Sequence, residues 1–205
     1  MSAYSLIVEP GTRLARQVRT GALPMPDDDV LADRYLQADA ALTAAGFSWY
    51  EVSNWARDTG ARCRHNLAYW TGGDWWGVGP GAHSHVGGVR WWNVKHPAAY
   101  AAALATGRTG RSPIADGLDR GDGPSTPGHA REVLDPDARR MEDILLRLRL
   151  SDGIAADGLR PTGRAAARAA AADGLLQPDR WARGRAVLTL RGRLLADGIA
   201  LQLTD

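Results

Sequence analysis

The stretch DDDVLADRYLQADAALTAAGFSWYEVS, residues 27–53, decides the fold because it joins a helical pattern directly to a strand pattern. The three aspartates at 27–29 suit a helix N-terminus, where carboxylates meet free N–H groups and the positive end of the helix dipole. Apolar residues then recur at helical spacing, at Leu31, Tyr35, Ala38 and Leu42. Gly46 supplies a C-terminal stop, and the aromatic-rich residues 47–53 predict a strand.

A second strand pattern lies upstream of this helix. Residues 2–8, SAYSLIV, form a short apolar run that ends in the turn signal Glu9-Pro10-Gly11. A strand, a helix and a strand joined in this order form a βαβ unit, which favours a parallel sheet. The sequence therefore predicts an α/β fold.

The pattern continues downstream with shorter elements. Residues 61–70 are typical of a loop that enters a short helix, and residues 74–78 predict a strand that breaks at Gly79. A further aromatic strand is predicted over 89–94. Pro97 then opens an alanine-rich helix over 97–106, since proline is favoured at the first helical position.

The chain divides into three predicted parts. Residues 1–112 carry the α/β pattern, whereas residues 113–137 form a flexible loop rich in Gly, Pro and Asp. Within this loop we expect residues 113–132 to be disordered or poorly packed, because they offer little to offset ordering entropy. Residues 138–205 predict two helices, a hairpin and a last helix, an outline typical of a small winged-helix-like α+β module.

The composition predicts an ordered globular protein. The 205 residues, 44% hydrophobic and 23% charged, suffice for one domain with a small appendage. No window approaches the ~18 uncharged apolar residues of a membrane span, and no basic segment precedes the first apolar run. The single cysteine, Cys63, excludes an internal disulfide framework and indicates a reducing, cytoplasmic location. It also excludes an iron–sulfur cluster held by three or four cysteines of this chain alone.

The net charge of +2 gives little support to a nucleic-acid partner. Lys95 is the only lysine, so arginine makes up nearly all of the basic charge, as in alanine- and glycine-rich chains of high-GC coding sequences. No run of five or six like charges occurs. We therefore expect a solvated surface of mixed sign and no nucleic-acid binding.

Aromatic residues and histidines are concentrated in one region. Seven of the eight tryptophans and four of the five histidines fall between residues 49 and 96. This region contains CRHNLAYW, residues 63–70, and GVGPGAHSH, residues 77–85. Glycines after a strand permit positive φ and close approach of a ligand, which makes the second segment a candidate ligand site, although ordinary turn chemistry explains the same glycines. A zinc site is a further alternative, with ligands Cys63, His65, His83 and His85.

Several motifs together carry a resemblance to a known family. They are YEVSNWA at 50–56, HNLAYW at 65–70, GVGPGAHS at 77–84, SAYSLIVEPGT at 2–12, ARRMEDILLRLRLSDGI at 138–154 and LTLRGRLLADGI at 188–199. In this order they resemble the HemW haem chaperones, radical SAM proteins described as oxygen-independent coproporphyrinogen III oxidase-like. The resemblance implies the C-terminal part of a parallel β/α partial barrel, followed by the winged-helix-like domain.

The resemblance also implies partners and cofactors. Members of the family receive haem and deliver it to acceptor haemoproteins, and the full-length proteins hold a 4Fe-4S cluster and S-adenosyl-L-methionine (SAM). The cluster motif C-x-x-x-C-x-x-C is absent from this chain, so we expect no radical chemistry and no catalytic residue in it. We interpret the chain as the C-terminal half of such a protein. Its translation start would have been assigned to an internal valine codon, GTG, which also serves as a start codon. A homodimer is left open.

Two sets of site residues follow from the resemblance. The H-N-x-x-Y-W motif falls on His65, Asn66, Tyr69 and Trp70, which are implied to bind haem. The residues implied to line a SAM site are Ser5, Gly79, Gly81, Ala82 and His83. His83 stands where the related oxidases carry an apolar residue, which favours a chaperone. The alternatives are coproporphyrinogen oxidase activity in the full-length parent and nucleic-acid binding by residues 138–205.

Overall fold

The computed structural model describes residues 1–105 and 128–204 of the chain, which form two compact units. The first unit combines residues 1–63 with residues 147–204, and the second lies within residues 64–146. The elements in chain order are α1 (Arg13–Arg19), α2 (Asp28–Ala44), β1 (Ser48–Glu51), β2 (Asn54–Ala56), α3 (Arg64–Trp70), β3 (His83–Val86), β4 (Val89–Asn93), α4 (Pro97–Ala105), β5 (Gly128–Val133), α5 (Pro136–Arg147), β6 (Ile154–Ala155), α6 (Pro161–Ala172), α7 (Pro178–Ala182), β7 (Arg185–Ala186), α8 (Leu190–Leu194) and α9 (Ala196–Thr204).

Helix α2 begins and ends where the sequence predicts. The carboxylate of Asp27 caps it by accepting a hydrogen bond of 3.0 Å from the N–H of Val30. Gly46 follows the helix with a φ of +81°, the left-handed conformation that glycine adopts without a steric penalty. The strand after it is shorter than predicted, because residues 52 and 53 form a tight turn and β2 returns antiparallel to β1.

The prediction of a parallel sheet is wrong for the part of the chain that the structure describes. There, every strand pair is antiparallel: β1 with β2, β3 with β4, β4 with β5, and β6 with β7. Residues 2–8 do not form the predicted strand. The N-terminal amine donates to the carbonyl of Trp55 and the N–H of Ala3 donates to that of Ser53, but the pairing does not continue beyond Ala3. A βαβ unit needs that strand, so none forms there.

Close helix packing builds the C-terminal part of the first unit. Helix α6 turns Gly163, Ala167 and Ala170 towards α9, where Ile199 and Leu203 are buried. A Cβ atom at Gly163 would lie 2.3 Å from the carbonyl oxygen of Leu203, so the two backbones meet at a distance that only glycine allows. Small residues on one helix thus seat the large apolar residues of the other.

The hairpin predicted after α6 is not found among residues 147–204. Residues 178–182 form the short helix α7, with Pro178 at its first position, and β7 pairs with β6 instead of with the residues just before it. Only the bridge between Leu176 and Leu188 remains of the predicted pairing. Helix α6 before this region agrees with the sequence prediction, whereas the single last helix predicted after it is divided into α8 and α9 at Leu195.

The second unit is built on a three-stranded antiparallel sheet in the order β3-β4-β5. Strand β4 and helices α4 and α5 lie close to their predicted positions. The predicted loop is wrong at its C-terminal end, because residues 128–133 form the edge strand β5; pairing with the distant strand β4 orders a polar segment that has no apolar pattern of its own. The rest of the predicted disordered stretch lies outside the described residues. The strand predicted over 74–78 is reduced to one bridge between Trp75 and His85.

The compact units cut across the three predicted parts of the chain. The first unit is discontinuous, since residues 147–204 associate with the N-terminal 63 residues, whereas the predicted parts followed one another in sequence. Within residues 1–105 and 128–204, no helix is both long and apolar enough to cross a membrane.

Candidate functional site

Helix α3 carries the H-N-x-x-Y-W motif and sets the spacing of its side chains. His65 and Tyr69 are four residues apart and therefore lie on the same side of the helix. Their rings meet edge to face, with centroids 4.7 Å apart and planes at 80°. Asn66 and Trp70 are also four residues apart, on the neighbouring side, and both are half-buried. His65 is exposed, so the motif presents an accessible imidazole supported by an aromatic ring.

The aromatic contacts continue beyond the motif. The ring of Tyr69 meets Trp75 edge to face at 4.6 Å, and Trp75 in turn lies 5.0 Å from the ring of His85. A row of four rings therefore runs from His65 to His85, held by contacts that favour aromatic pairs beyond simple burial of area.

Trp75 fixes the second histidine segment to this row. Its N–H donates to the carbonyl of His85 at 2.8 Å, and the N–H of His85 donates back at 3.0 Å. The indole Nε1 of Trp75 also donates to the carbonyl of His83, at 3.2 Å. One tryptophan thus connects the two sequence motifs that contain histidines.

The histidines of β3 lie on one face of the sheet. His83 and His85 are two residues apart in a strand and therefore share a face. Trp92 of β4 lies directly opposite His83, and their rings stack with centroids 5.6 Å apart and planes at 26°. We call the whole surface the aromatic–histidine face; its members are His65, Tyr69, Trp75, His83, His85 and Trp92.

The hydrogen bonds of His85 distinguish it from the other two histidines of this face. Its Nδ1 lies 3.1 Å from the carbonyl of Gly73 and 3.8 Å from a carboxylate oxygen of Asp74. A carbonyl can only accept, so Nδ1 carries the proton and donates it. His85 is thereby held in a fixed orientation, whereas His65 and His83 are exposed.

A charged group borders this face. Arg90 lies opposite His85 on β4, and its guanidinium contacts the carboxylates of Glu132 and Glu142, each at 2.8 Å. The hydrogen bond that Arg90 donates to Glu132 is the main cause that raises the pKa of Arg90 above its usual value, and partial burial opposes it. The two glutamates hold this cation in place on β4, the central strand of the sheet.

The glycine-rich loop is held by its own hydrogen bonds. Gly79 and Gly81 adopt positive φ values of 109° and 69°, as predicted for a loop of this kind. Their N–H groups already donate, that of Gly79 to the hydroxyl of Tyr100 and that of Gly81 to the carbonyl of Val94. The buried amide of Asn93 donates to the carbonyl of Gly79 at 2.9 Å. The loop is therefore a rigid support, and these two N–H groups are not left for a phosphate or carboxylate.

The residues predicted to line a SAM site fall into two groups. Gly79, Gly81, Ala82 and His83 are neighbours in the second unit. Ser5 belongs to the first unit, where it lines a cavity of about 270 Å³ together with Tyr4, Leu31, Arg34 and Tyr35. The assignment of these residues to SAM stays a prediction.

The metal chemistry of the described residues is limited. Cys63 is the single cysteine of the chain and is exposed, so the chain does not supply the cysteines of an iron–sulfur cluster. Among residues 1–105 and 128–204, no three His, Cys, Asp or Glu side chains come close enough to hold a metal ion. The zinc alternative therefore finds no set of ligands there.

Sequence reasoning missed Trp75 and Trp92 as members of the site. The concentration of tryptophan in this region indicated their importance, but the register that puts Trp92 beside His83 depends on the pairing of β3 with β4. It also missed the network of the YEVSNWA motif in the first unit. There the buried Glu51 accepts from the amide of Asn54, which also contacts the hydroxyls of Ser2 and Tyr4.

Comparison with known proteins places this arrangement in context. No family model matches the chain. The heme chaperone HemW of Mycobacterium tuberculosis (strain ATCC 25618 / H37Rv) is 51% identical over 203 residues, which are 99% of this chain and 47% of that protein. The heme chaperone HemW of Synechocystis is 32% identical over 154 residues, 75% of this chain and 34% of that protein. The chain thus spans about half the length of the curated relatives it matches.

Two further similarities concern the wider group. The mitochondrial radical S-adenosyl methionine domain-containing protein 1 of Bos taurus is 52% identical over 83 residues, 40% of this chain and 19% of that protein. Among solved structures, coproporphyrinogen III oxidase (HemN) from Escherichia coli, a radical SAM enzyme, matches with a TM-score of 0.61 at 18% identity, over 93% of this chain and 44% of that one. At this identity the match shows the fold alone, a mixed α/β fold like that of HemN. With 51% identity over almost all of its residues, the chain belongs to the HemW family.

Proposed function

We propose that this chain carries the haem-contacting part of a haem chaperone, with His65 as the ligand of the haem iron. The observation that carries the proposal is the exposed imidazole of His65, which stands at the end of a row of packed aromatic rings. A neutral imidazole is a good ligand for haem iron, and aromatic rings provide flat apolar area for a macrocycle. Tyr69 and Trp70 provide this contact, and Asn66 orders the turn of the helix around His65.

An open site fits the delivery of haem better than its permanent storage. His65 lies on the surface rather than in an enclosed cavity, so a haem bound there stays accessible to an acceptor haemoprotein. The names of the relatives support this part of the proposal, since the proteins matched over most of this chain are called heme chaperones. The acceptor haemoproteins are the proposed partners. We place the protein in the cytoplasm, because a chain with a single cysteine and hence no internal disulfide suits a reducing compartment.

We assign the cluster and SAM to the part of the full-length protein that this chain does not cover. A 4Fe-4S cluster would supply electrons for the cleavage of SAM there, and no step of that chemistry is assigned to residues of this chain. In the full-length protein the chain would then contribute to the mixed α/β fold that it shares with HemN. The alternative of oxidase activity in the full-length protein has only the shared fold in its favour.

The nucleic-acid alternative has less support than haem binding. Several arginines of residues 147–204 donate to main-chain carbonyls of the protein itself: Arg164 to that of Ala156, Arg185 to that of Asp152 and Arg191 to that of Asp173. Such arginines serve as internal braces, which explains their abundance without a phosphate backbone as partner.

Titration of the purified chain with ferric haem tests the proposal. We expect a Soret band typical of imidazole ligation, and His65→Ala should weaken binding by about tenfold or more, the scale on which metal sites respond to disturbed ligands. His129→Ala is the matched control, because His129 is also exposed and lies in the same unit, on strand β5. If the chain bound no haem, or if His65→Ala and His129→Ala gave equal affinities, His65 would not be the ligand.

A further inference from the structure

We propose that His83 is a second ligand position for haem iron on the aromatic–histidine face, an inference that rests on the proposed haem binding. The sequence motifs treat His65 and His83 as members of separate sites. The structure instead links them, because the rings of His65, Tyr69 and Trp75 are in contact and the indole of Trp75 donates to the backbone carbonyl of His83.

The orientation of His83 is suited to a flat ligand. Side chains on a strand stand roughly perpendicular to the sheet, and the ring of His83 is stacked against Trp92 with planes at 26°. A metal–imidazole bond lies in the plane of the ring, so an iron bound to the outer edge of this imidazole lies above the sheet. The attached macrocycle then lies over the face, where Trp92 offers it further apolar contact.

His83 is held firmly although its ring is exposed. Its carbonyl accepts from the indole of Trp75, and its backbone approaches Gly77 so closely that a Cβ there would lie 2.1 Å from the same carbonyl oxygen. The next residue, Ser84, is fully buried and its hydroxyl accepts from the N–H of Gly77 at 2.9 Å. A strand fixed in this way presents the imidazole without having to be ordered by the ligand, which lowers the entropic cost of binding.

Two other histidines of the second unit, His85 and His129, are less suitable. His85 is half-buried and its Nδ1 is already engaged by the carbonyl of Gly73. His129 is exposed, but it precedes Ala130, which lies opposite Trp92, so it points to the other face of the sheet. Coordination by His83 needs only the lone pair of a neutral imidazole nitrogen and no change in the oxidation state of the iron.

Two substitutions separate ligation from packing. His83→Phe keeps a flat ring against Trp92 but removes both nitrogens, and it is best combined with His65→Ala. Ferric haem is titrated into the wild-type chain, the two single variants and the double variant, with the Soret spectrum and the dissociation constant as readouts. The combination of His65→Ala with His129→Ala serves as the control.

The outcomes distinguish this inference from the proposed function. We expect His65→Ala to keep a weaker, imidazole-type spectrum that the addition of His83→Phe abolishes, with a further loss of about tenfold or more in affinity, while the addition of His129→Ala changes nothing. If His83→Phe leaves the residual spectrum of His65→Ala unchanged, the inference fails and the assignment of His65 stands. If His65→Ala binds as the wild type does and the double variant does not, His65 fails and His83 stands. A wild-type chain without haem binding overturns both.

Discussion

Arg193 binds Asp39 through two hydrogen bonds, of 2.9 and 3.2 Å, although 154 residues separate them in the sequence. Both side chains are nearly buried, with exposed fractions of 9% and 12%. The indole of Trp55 donates to the same carboxylate at 2.8 Å, and the guanidinium lies over the ring of Trp49. This ion pair joins helix α2 to helix α8 within the first unit and thereby connects the two distant parts of the chain that form it.

Breaking this pair should destabilise the first unit strongly. Asp39→Asn removes the charge that compensates Arg193, and an uncompensated buried charge typically costs about 3–5 kcal/mol. We expect a lower midpoint of urea unfolding, followed by the far-UV circular dichroism of the chain. Asp33→Asn is the control, because Asp33 is exposed on the same helix. Equal midpoints for the two variants would show that the pair contributes little.

Tyr35 should make stability sensitive to high pH. Burial raises the pKa of its hydroxyl above the usual 10.0, and the nearby Arg193, which donates to that hydroxyl, opposes the rise. Because the folded state favours the protonated form, its contribution is present below pH 10.0 and is lost as the pH rises through the folded pKa. In a pH titration followed by tyrosinate absorption, one tyrosine should ionise at a higher pH than the others. Tyr35→Phe should remove this high-pH component, whereas Tyr4→Phe, at an exposed tyrosine, should leave it in place. Loss of that component in the second variant alone would contradict this account.

Local signals predicted the helices well and the strand pairing poorly. The residues that begin and end α2, Asp27 and Gly46, lie within two residues of the helix itself, so this helix could be predicted from local sequence. Strand β5 was not, because its residues have no apolar alternation and owe their order to β4, nearly forty positions upstream. The first strand failed for the opposite reason: residues 2–8 have a strand-like composition, but strands depend on a partner, and pairing stops at Ala3.

The same contrast holds for the candidate site. The spacing of His65 and Tyr69 within one helix was enough to place them side by side. The role of Trp75 as a link between the two motifs could not be predicted from the sequence. It arises from a bridge to His85 and from an indole hydrogen bond to a backbone carbonyl. Contacts of that kind depend on register, which a single sequence does not determine outside regular alternation.

Substitution of Gly77 should destabilise the protein. A Cβ added there would lie 2.1 Å from the carbonyl oxygen of His83, so Gly77→Ala must displace backbone and should cost about 1–3 kcal/mol. Gly198→Ala is a useful contrast, since nothing lies within 4 Å of that Cβ and alanine favours a helix. We expect Gly77→Ala to lower the thermal midpoint and Gly198→Ala to maintain or raise it. A neutral Gly77→Ala would mean that the loop adjusts freely.

Trp75 and its neighbour Trp76 should differ sharply in their effect on haem binding. Trp75 contacts Tyr69 and His85 and donates to the carbonyl of His83, whereas Trp76 is 60% exposed and its ring meets Trp91. Trp75→Leu removes the ring between the two histidine motifs, and we expect the affinity for ferric haem to fall by about tenfold or more.

The adjacent residue provides the matched control for that measurement. Trp76→Leu makes the same change of side chain one position along, on the side of the sheet that faces Trp91, and should leave the affinity and the Soret spectrum unchanged. Trp75→Phe should recover part of the lost affinity, because a smaller ring still contacts Tyr69 although its N–H to His83 is gone. Urea midpoints of all three variants separate a loss of folding from a loss of binding. Equal affinities for Trp75→Leu and Trp76→Leu at equal midpoints would show that the row of rings does not support the haem ligands.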